Sequence, residues 1–129
     1  MYAIQLTLLF AGLCALMQCF LTALVVMRRV QSGINVLDGG DAVLLRRIRA
    51  HANFAETVPM ALLLMLLLEL GGLAATWLWL FGLALTAGRT LHAYALLSGG
   101  MVWGRLGGMV LTLGVISIEA LLCLGMFLR

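Results

Sequence analysis

Residues 3–27 read AIQLTLLFAGLCALMQCFLTALVVM, a run without a single charged side chain. A helix needs about 20 mostly apolar residues to cross the hydrocarbon core of a bilayer, which is roughly 30 Å thick. Three later stretches meet the same requirement, at residues 54–70, 76–97 and 106–128. The sequence therefore predicts four transmembrane helices.

The composition also indicates a membrane protein. Hydrophobic residues make up 64% of the 129 residues and charged residues only 10%, against roughly 45–50% and about 25% in soluble domains. So few charges cannot cover a water-facing surface, which excludes a soluble enzyme. Because the spans leave no room for a separate soluble domain, residues 1–129 are expected to form one all-α domain. Glycine pairs at residues 39–40, 71–72 and 99–100 predict turns in an antiparallel four-helix bundle.

The arginines predict the orientation of the chain, because basic residues near span ends favour the cytoplasm. The first and third connections hold most of them, whereas the opposite side holds only Arg129. We therefore expect both termini to be extracytoplasmic, with these two connections in the cytoplasm. No basic patch with interleaved aromatic residues suggests a nucleic-acid partner. The six arginines are Arg28, Arg29, Arg46, Arg47, Arg49 and Arg105.

The second helix is predicted to be longer than the membrane is thick. Asp41 can cap its N-terminus, and a helix continuing to Leu70 would be about 43 Å long. Its first turns are expected in the cytoplasmic headgroup region. Pro59 removes the backbone bond to the Ala55 carbonyl, which is compatible both with a kink around a cavity and with a merely tolerated proline.

This helix also carries the main candidate site. Arg46, Arg49, Asn53 and Glu56 fall within roughly 80° of one another at 100° per residue, so they form one polar stripe. Ionisable groups at membrane depth are costly unless they are paired or hydrated, so the stripe should face protein or water. Arginines that only anchored the topology would not require a carboxylate, Glu56, one turn deeper in the membrane. We therefore interpret Arg49, Asn53 and Glu56 as a binding site.

Further polar residues and a glycine pair lie outside this stripe. Arg89 and His92 share a face of the third span, and Arg89 lies about 12 Å from its cytoplasmic end. An arginine at that depth needs a partner, and we predict a contact with Glu56. Arg105 stands at the cytoplasmic mouth of the fourth span, where topology anchoring would also explain it. Glu69 and Glu119 are interpreted as helix-end or interhelical polar groups, and Gly104 with Gly108 as a close-packing pair.

Other chemistries lack support. The three cysteines form no C-x-x-C pair and lie in apolar runs, which argues against disulfide exchange. No zinc-ligand cluster occurs. His51 and His92 are expected at different depths, which disfavours a shared haem.

The segment RRIRAHANFAETVP at residues 46–59 resembles the MAPEG family, membrane-associated proteins in eicosanoid and glutathione metabolism. Its Arg-Ala-x-x-Asn-x-x-Glu-x-x-Pro spacing is intact, and residues 38–41, DGGD, precede it as in the bacterial branch. The resemblance continues at Arg89-x-x-His92 and at Arg105, so it covers nearly the whole chain. It implies a homotrimer of four-helix protomers in the bacterial inner membrane, with glutathione between neighbouring subunits near the cytoplasmic face.

The resemblance also implies roles for individual residues. Arg49, Asn53 and Glu56 would bind the charged and amide groups of glutathione, and Arg105 would activate its thiol. Thr57 and Leu96 stand where eicosanoid-synthesising members have tyrosine, which predicts weaker glutathione affinity or a different thiol. No metal is implied.

The leading hypothesis is therefore a glutathione-dependent transferase or peroxidase acting on lipophilic electrophiles that arrive from the lipid. The alternative is a non-catalytic membrane binding or assembly protein whose polar stripe holds the oligomer together. A small multidrug transporter is disfavoured, since such proteins carry an essential acid in the first span and Met1–Met27 contains none.

Overall fold

The computed structural model describes residues 4–99 and 101–128. Three residues of the sequence predictions lie outside the described residues: Ala3, the first residue of the first predicted span, Gly100 of the third predicted turn, and Arg129, which is predicted to be extracytoplasmic. The described chain is helical almost throughout. Its helices are α1 (Gln5–Ser32), α2 (Ala42–Leu70), α3 (Ala75–Leu97) and α4 (Val102–Phe127).

All four helices are long and apolar enough to cross a membrane, so the predicted fold class is confirmed and the chain is an integral membrane protein. α2 has 29 residues and is about 43 Å long at 1.5 Å per residue. α1 continues to Ser32, five residues beyond Met27, where the uncharged run ends. Gly33 caps its C-terminus, and its φ of +69° suits glycine.

α2 and α3 form the centre of the bundle. α2 contacts each of the other helices and α3 packs most extensively against α4, whereas α1 and α4 do not touch within the described residues. The core contains large side chains from α1, α2 and α3, including Phe10, Phe54, Met65, Phe81 and Leu85. α1 and α4 expose many apolar side chains, as expected of helices that face lipid or another subunit.

The α3–α4 contact depends on glycine, as the Gly104–Gly108 spacing predicted. A Cβ added at Gly108 would lie 2.5 Å from the Gly88 carbonyl oxygen and 2.7 Å from the His92 Cβ. One added at Gly104 would lie 2.9 Å from the Ala95 Cβ. The backbones therefore approach closely where Arg89, His92 and Arg105 are located.

Candidate functional site

The N-terminal end of α2 is fixed by its cap residue, Asp41. Asp41 accepts hydrogen bonds at Oδ1 from the backbone N–H groups of Val43 (2.9 Å) and Leu44 (3.0 Å), which confirms the predicted N-cap. Its Oδ2 atom lies 2.8 Å from Nη2 of Arg28. The Leu44 amide, and then Arg28, hold the pKa of Asp41 below its ordinary value. Arg28 thus joins the end of α1 to the start of α2.

Arg47 has a similar bracing role. Its Nη1 atom donates to the Leu24 carbonyl oxygen of α1 at 2.7 Å. The C-terminal end of α1 and the N-terminal end of α2 are therefore held together before the candidate site begins.

The candidate binding residues begin two residues after Arg47 on α2. Arg49 and Glu56 are exposed and Asn53 is half-buried. The Asn53 amide donates to the Arg49 carbonyl oxygen at 3.2 Å, and the Thr57 hydroxyl donates to the Asn53 carbonyl oxygen at 2.8 Å. The charged ends of Arg49 and Glu56 therefore remain accessible on one face of the protomer.

Arg105 lies in the first turn of α4 and is exposed. Its backbone carbonyl oxygen is 3.0 Å from Nδ1 of His92, which is buried. His92 therefore fixes the backbone of Arg105 and leaves the guanidinium free to contact a ligand. Apart from the bond from the Asn53 amide to the Arg49 backbone, no hydrogen bond or ion pair joins Arg49, Asn53, Glu56 and Arg105 to one another within residues 4–99 and 101–128.

The predicted contact between Arg89 and Glu56 is wrong. Arg89 is only 2% exposed, and its guanidinium donates to the Thr57 hydroxyl at 3.3 Å and to the Gly108 carbonyl oxygen at 3.2 Å. The ion pair that the described residues contain is Arg28–Asp41. Glu56 precedes Thr57 by one residue, which turns it about 100° away from the centre of the bundle.

Arg89 nevertheless connects α2 near Glu56 with α4 near Arg105. Thr57 is adjacent to Glu56, and Gly108 lies three residues after Arg105. Since three residues advance a helix by about 4.5 Å, Glu56 and Arg105 lie at a similar depth around one buried cation. The arrangement presents accessible cationic and anionic groups near the end of the bundle where α2 and α4 begin.

Comparison with known proteins identifies the family. The sequence profile described as the MAPEG family matches residues 7–125. The chain belongs to the MAPEG family. It is also 38% identical over 100 residues to the "Inner membrane protein YecN" of Escherichia coli strain K12, which covers 77% of this chain and 76% of that protein. The protein of the same name from Escherichia coli O6:H1 matches with the same identity and coverage.

In this MAPEG chain, charged and amide side chains rather than metal ligands characterise the site. The described residues contain no group of three or more His, Cys, Asp or Glu side chains that could hold a metal ion. Arginine suits carboxylates through paired N–H donors, and a glutamate suits an ammonium group. The accessible ends of Arg49 and Glu56 therefore offer one cationic and one anionic group to the surroundings of the protomer.

Sequence reasoning missed several contacts of this MAPEG protomer. The Glu69 carboxylate accepts the backbone N–H groups of Leu6 (2.9 Å) and Thr7 (2.7 Å), which is a specific form of the predicted helix-end role. Gln18 of α1 and His51 of α2 are hydrogen-bonded at 2.8 Å. Polar residues at compatible depths were the available signal, but depth alone does not select the partner.

Proposed function

We propose that this protein is a glutathione-dependent transferase or peroxidase of the inner membrane that acts on lipophilic electrophiles. The main support is the accessible Arg49 and Glu56 pair at the depth of Arg105, in a chain with MAPEG family membership. The name of the Escherichia coli relative supports the inner-membrane location. Membrane lipid is then both the surroundings of the protein and the route by which the acceptor arrives.

Each residue has a distinct role in binding. Arg49 pairs with a carboxylate of glutathione, Glu56 with its α-ammonium group, and the half-buried Asn53 with a peptide amide. Bonds between charged partners are stronger than neutral hydrogen bonds, which favours this orientation. Arg105 then lies near the thiol. Glutathione is a co-substrate in this scheme, and no metal takes part.

The chemistry follows from the charge of Arg105. A free thiol has a pKa near 8.5, and each unit by which the pKa falls corresponds to about 1.36 kcal/mol in favour of the thiolate. The guanidinium of Arg105 stabilises that anion. With an epoxide, sulfur forms a bond to carbon while the carbon–oxygen bond breaks, and the released alkoxide takes a proton from water. With a hydroperoxide, the thiolate attacks the terminal oxygen and the O–O bond breaks, which gives a glutathione sulfenic acid and an alkoxide that takes a proton from water. A second glutathione then attacks the sulfenic acid, which yields the disulfide and water.

The proposal includes assembly and orientation. A homotrimer would bring the exposed stripe of one protomer against α1 or α4 of its neighbour, so that water no longer surrounds the site on every side. The exposed apolar faces of those helices support such contacts. With both termini extracytoplasmic and the first and third connections cytoplasmic, Arg49 and Arg105 would meet the glutathione pool of the cytoplasm.

Glutathione binding by the purified full chain in lipid nanodiscs tests the proposal. We expect calorimetry to detect binding and ultraviolet absorbance to detect bound thiolate. Arg105→Ala should abolish the thiolate signal while binding persists, and Arg105→Lys should retain part of it. Gln31→Ala, an exposed change at the cytoplasmic end of α1, is the matched control. Turnover of an alkenal, an epoxide and a lipid hydroperoxide then identifies the acceptor class.

Failure of the unmodified protein to bind glutathione would refute the enzymatic proposal. If Glu56→Gln then also caused the oligomer to dissociate, the polar stripe would stabilise the contacts between subunits, as in the non-catalytic alternative. Oligomeric state measured by mass spectrometry in nanodiscs separates the two outcomes. A trimer that is unaffected by Glu56→Gln but loses glutathione affinity supports the proposed site.

A further inference from the structure

A second candidate site lies above the core of the protomer, at the end of the bundle where α2 begins. A cavity of about 270 Å³ is lined there by three residues of α2, one of α1 and one of α3: Val43, Arg46, Arg47, Leu24 and Leu97. Val43 and Arg47 precede the core residues Ala50 and Phe54 by seven positions each, so they continue the inward face of α2. That face therefore changes from apolar to basic where the helix leaves the core.

Arg46 supplies the first cationic group of the cavity. Its side chain is half-buried, and its Nε atom is buried without a partner, so no ligand reaches that atom. Its terminal nitrogens, Nη1 and Nη2, are accessible and form no hydrogen bond or ion pair among the described residues. The two terminal nitrogens of a guanidinium form a fork that matches the oxygen atoms of a phosphate or a carboxylate. The cavity therefore contains a cationic fork whose donors are available to an anion.

Arg47 supplies a second cationic group. Its Nη1 atom donates to the Leu24 carbonyl oxygen at 2.7 Å, which holds the guanidinium against α1. Asp41 neutralises neither arginine of the cavity, because its Oδ1 atom accepts two backbone N–H groups and its Oδ2 atom pairs with Arg28. Charged groups that are partly removed from water are costly unless they are paired. An anion between the two guanidinium groups would supply that missing partner.

The depth of the cavity indicates which anion is available. Glu69, near the other end of α2, accepts the first backbone N–H groups of α1, and a carboxylate belongs outside the hydrocarbon. Arg46 lies 23 residues before Glu69, which corresponds to about 35 Å along the helix. The hydrocarbon core is roughly 30 Å thick, and the bilayer with its headgroups roughly 40–45 Å. With Glu69 at one edge of the hydrocarbon, Arg46 lies beyond the other edge, in the layer that contains the lipid phosphates.

The lining favours an anionic headgroup over a zwitterionic one. None of the lining residues is an acid, so the ammonium group of a zwitterionic lipid would have no partner in the cavity. The apolar side chains of Leu24, Val43 and Leu97 fit the glycerol and the first methylene groups beside a lipid phosphate. The volume of about 270 Å³ is below the roughly 300–1,000 Å³ of small-molecule pockets, which suits a headgroup and not a whole lipid.

We propose that this cavity binds the phosphate group of an anionic phospholipid, with donors from the terminal nitrogens of Arg46 and from Arg47. The sequence places Arg46 in the polar stripe, whereas the structure places it in the wall of this separate cavity. The lining includes none of the residues proposed to bind glutathione, so the site does not depend on that function. A phosphate bound here would join the ends of α1, α2 and α3.

Native mass spectrometry of the full chain tests this proposal in the absence of glutathione. The protein is released from mixed micelles that contain equal amounts of phosphatidylglycerol and phosphatidylcholine with identical acyl chains. We expect adducts with phosphatidylglycerol to predominate, and Arg46→Gln to reduce this preference roughly 5-fold, the contribution of one arginine near a lipid headgroup. Arg49→Gln removes the same charge from an exposed residue of α2 outside the cavity. As the matched control, it should leave most of the preference intact.

A second pair of variants separates the cavity from its charge. Val43→Phe keeps both arginines but fills the space between them, so it should remove the preference for phosphatidylglycerol. Leu45→Phe, an exposed change two residues later on α2 and outside the cavity, should leave the preference unchanged. Circular dichroism and oligomeric state verify folding, and Leu97→Trp replaces Val43→Phe if that variant misfolds.

Four results would overturn the proposal. Equal adducts of the two lipids on the unmodified chain would show that no anionic headgroup is selected. An equal loss of preference in Arg46→Gln and Arg49→Gln would indicate diffuse attraction to a basic surface instead of a site. A preference that survives both Val43→Phe and Leu97→Trp would place the lipid elsewhere. Calorimetric binding of inorganic phosphate without any lipid preference would show that the cavity takes a soluble phosphate, and the lipid assignment would be wrong.

Discussion

The Nδ1 atom of His92 lies 3.0 Å from the backbone carbonyl oxygen of Arg105, so a buried side chain of α3 holds the first turn of α4. One turn later, Nη2 of Arg89 lies 3.2 Å from the Gly108 carbonyl oxygen. Met101, the N-cap residue of α4, forms no side-chain capping bond. The start of α4 is therefore positioned mainly by α3, and the direction of the Arg105 side chain depends on that contact.

Replacing His92 should consequently affect both stability and the proposed chemistry. His92→Leu removes the bond to the Arg105 carbonyl, and we expect the free energy of unfolding to fall by about 0.5–1.5 kcal/mol. Thiolate absorbance per bound glutathione should also fall. His92→Asn can place an amide donor near the position of Nδ1 and should recover much of both signals. Equal thiolate absorbance in the Leu and Asn variants would contradict a positioning role.

The close approach of α3 and α4 predicts a large effect for one methyl group. In Gly108→Ala the new Cβ would meet the Gly88 carbonyl oxygen and the His92 backbone, neither of which can move without separating the helices. Overpacking of this kind costs about 1–3 kcal/mol. Gly114→Ala, on the same helix with no atom within 4 Å of the added Cβ, is the control. The free energy of unfolding measured in mixed micelles should fall for Gly108→Ala but not for Gly114→Ala.

The N-terminus of α1 depends on a carboxylate from the end of α2. Glu69→Leu removes both acceptors of the Leu6 and Thr7 amides, and a hydrogen bond to a charged group contributes about 1.5–3 kcal/mol. We expect destabilisation on that scale, together with faster hydrogen exchange at the start of α1. Glu69→Gln keeps one acceptor and should have an intermediate effect. Unchanged exchange at residues 6–9 in Glu69→Leu would count against this role.

Local features of this fold were predictable from the sequence. The helix count follows from the length and apolarity of four segments, and the Asp41 cap from a side chain adjacent to its own helix. The close contact at Gly104 and Gly108 also follows from spacing along a single helix. Each of these features depends on residues that are near one another in the chain.

The interhelical partners were not predictable in the same way. Sequence position gives the depth of Arg89 along α3 to within a turn, and this correctly selected the region of α2 near Glu56 and Thr57. It does not give the rotation of α2 about its axis, and a one-residue difference changes that rotation by about 100°. The Gln18–His51 bond depends on the same unknown rotation. The convergence of Arg49, Asn53, Glu56 and Arg105 on one ligand likewise remains a prediction.

The pH dependence of stability should reveal the charge of Asp41. Because its folded-state pKa lies below the ordinary value of 3.8, the charged form stabilises the fold above that pH, and the contribution disappears as pH falls through the lower folded-state pKa. Asp41→Asn keeps a good N-cap but removes the charge. The stability difference between the two proteins should be constant near neutral pH and shrink below about pH 4. When Arg28 is also replaced by Gln, the stability difference that Asp41→Asn causes should depend less on pH. The same pH dependence with and without Arg28 would show that Arg28 does not lower the pKa of Asp41.

Two double-mutant cycles can identify the partner of Arg89. Its guanidinium donates to Thr57 at 3.3 Å, so Arg89→Met and Thr57→Val should be non-additive in the free energy of unfolding by about 0.5 kcal/mol or more. The cycle of Arg89→Met with Glu56→Gln should be additive within about 0.3–0.5 kcal/mol, as for residues without a shared contact. Thr57→Val preserves shape, which limits the loss to the hydroxyl. The measurement is made at a protein concentration where the oligomeric state is the same for all variants. Coupling to Glu56 but not to Thr57 would restore the ion pair that the sequence suggested and would place Glu56 inside the bundle instead of at the ligand.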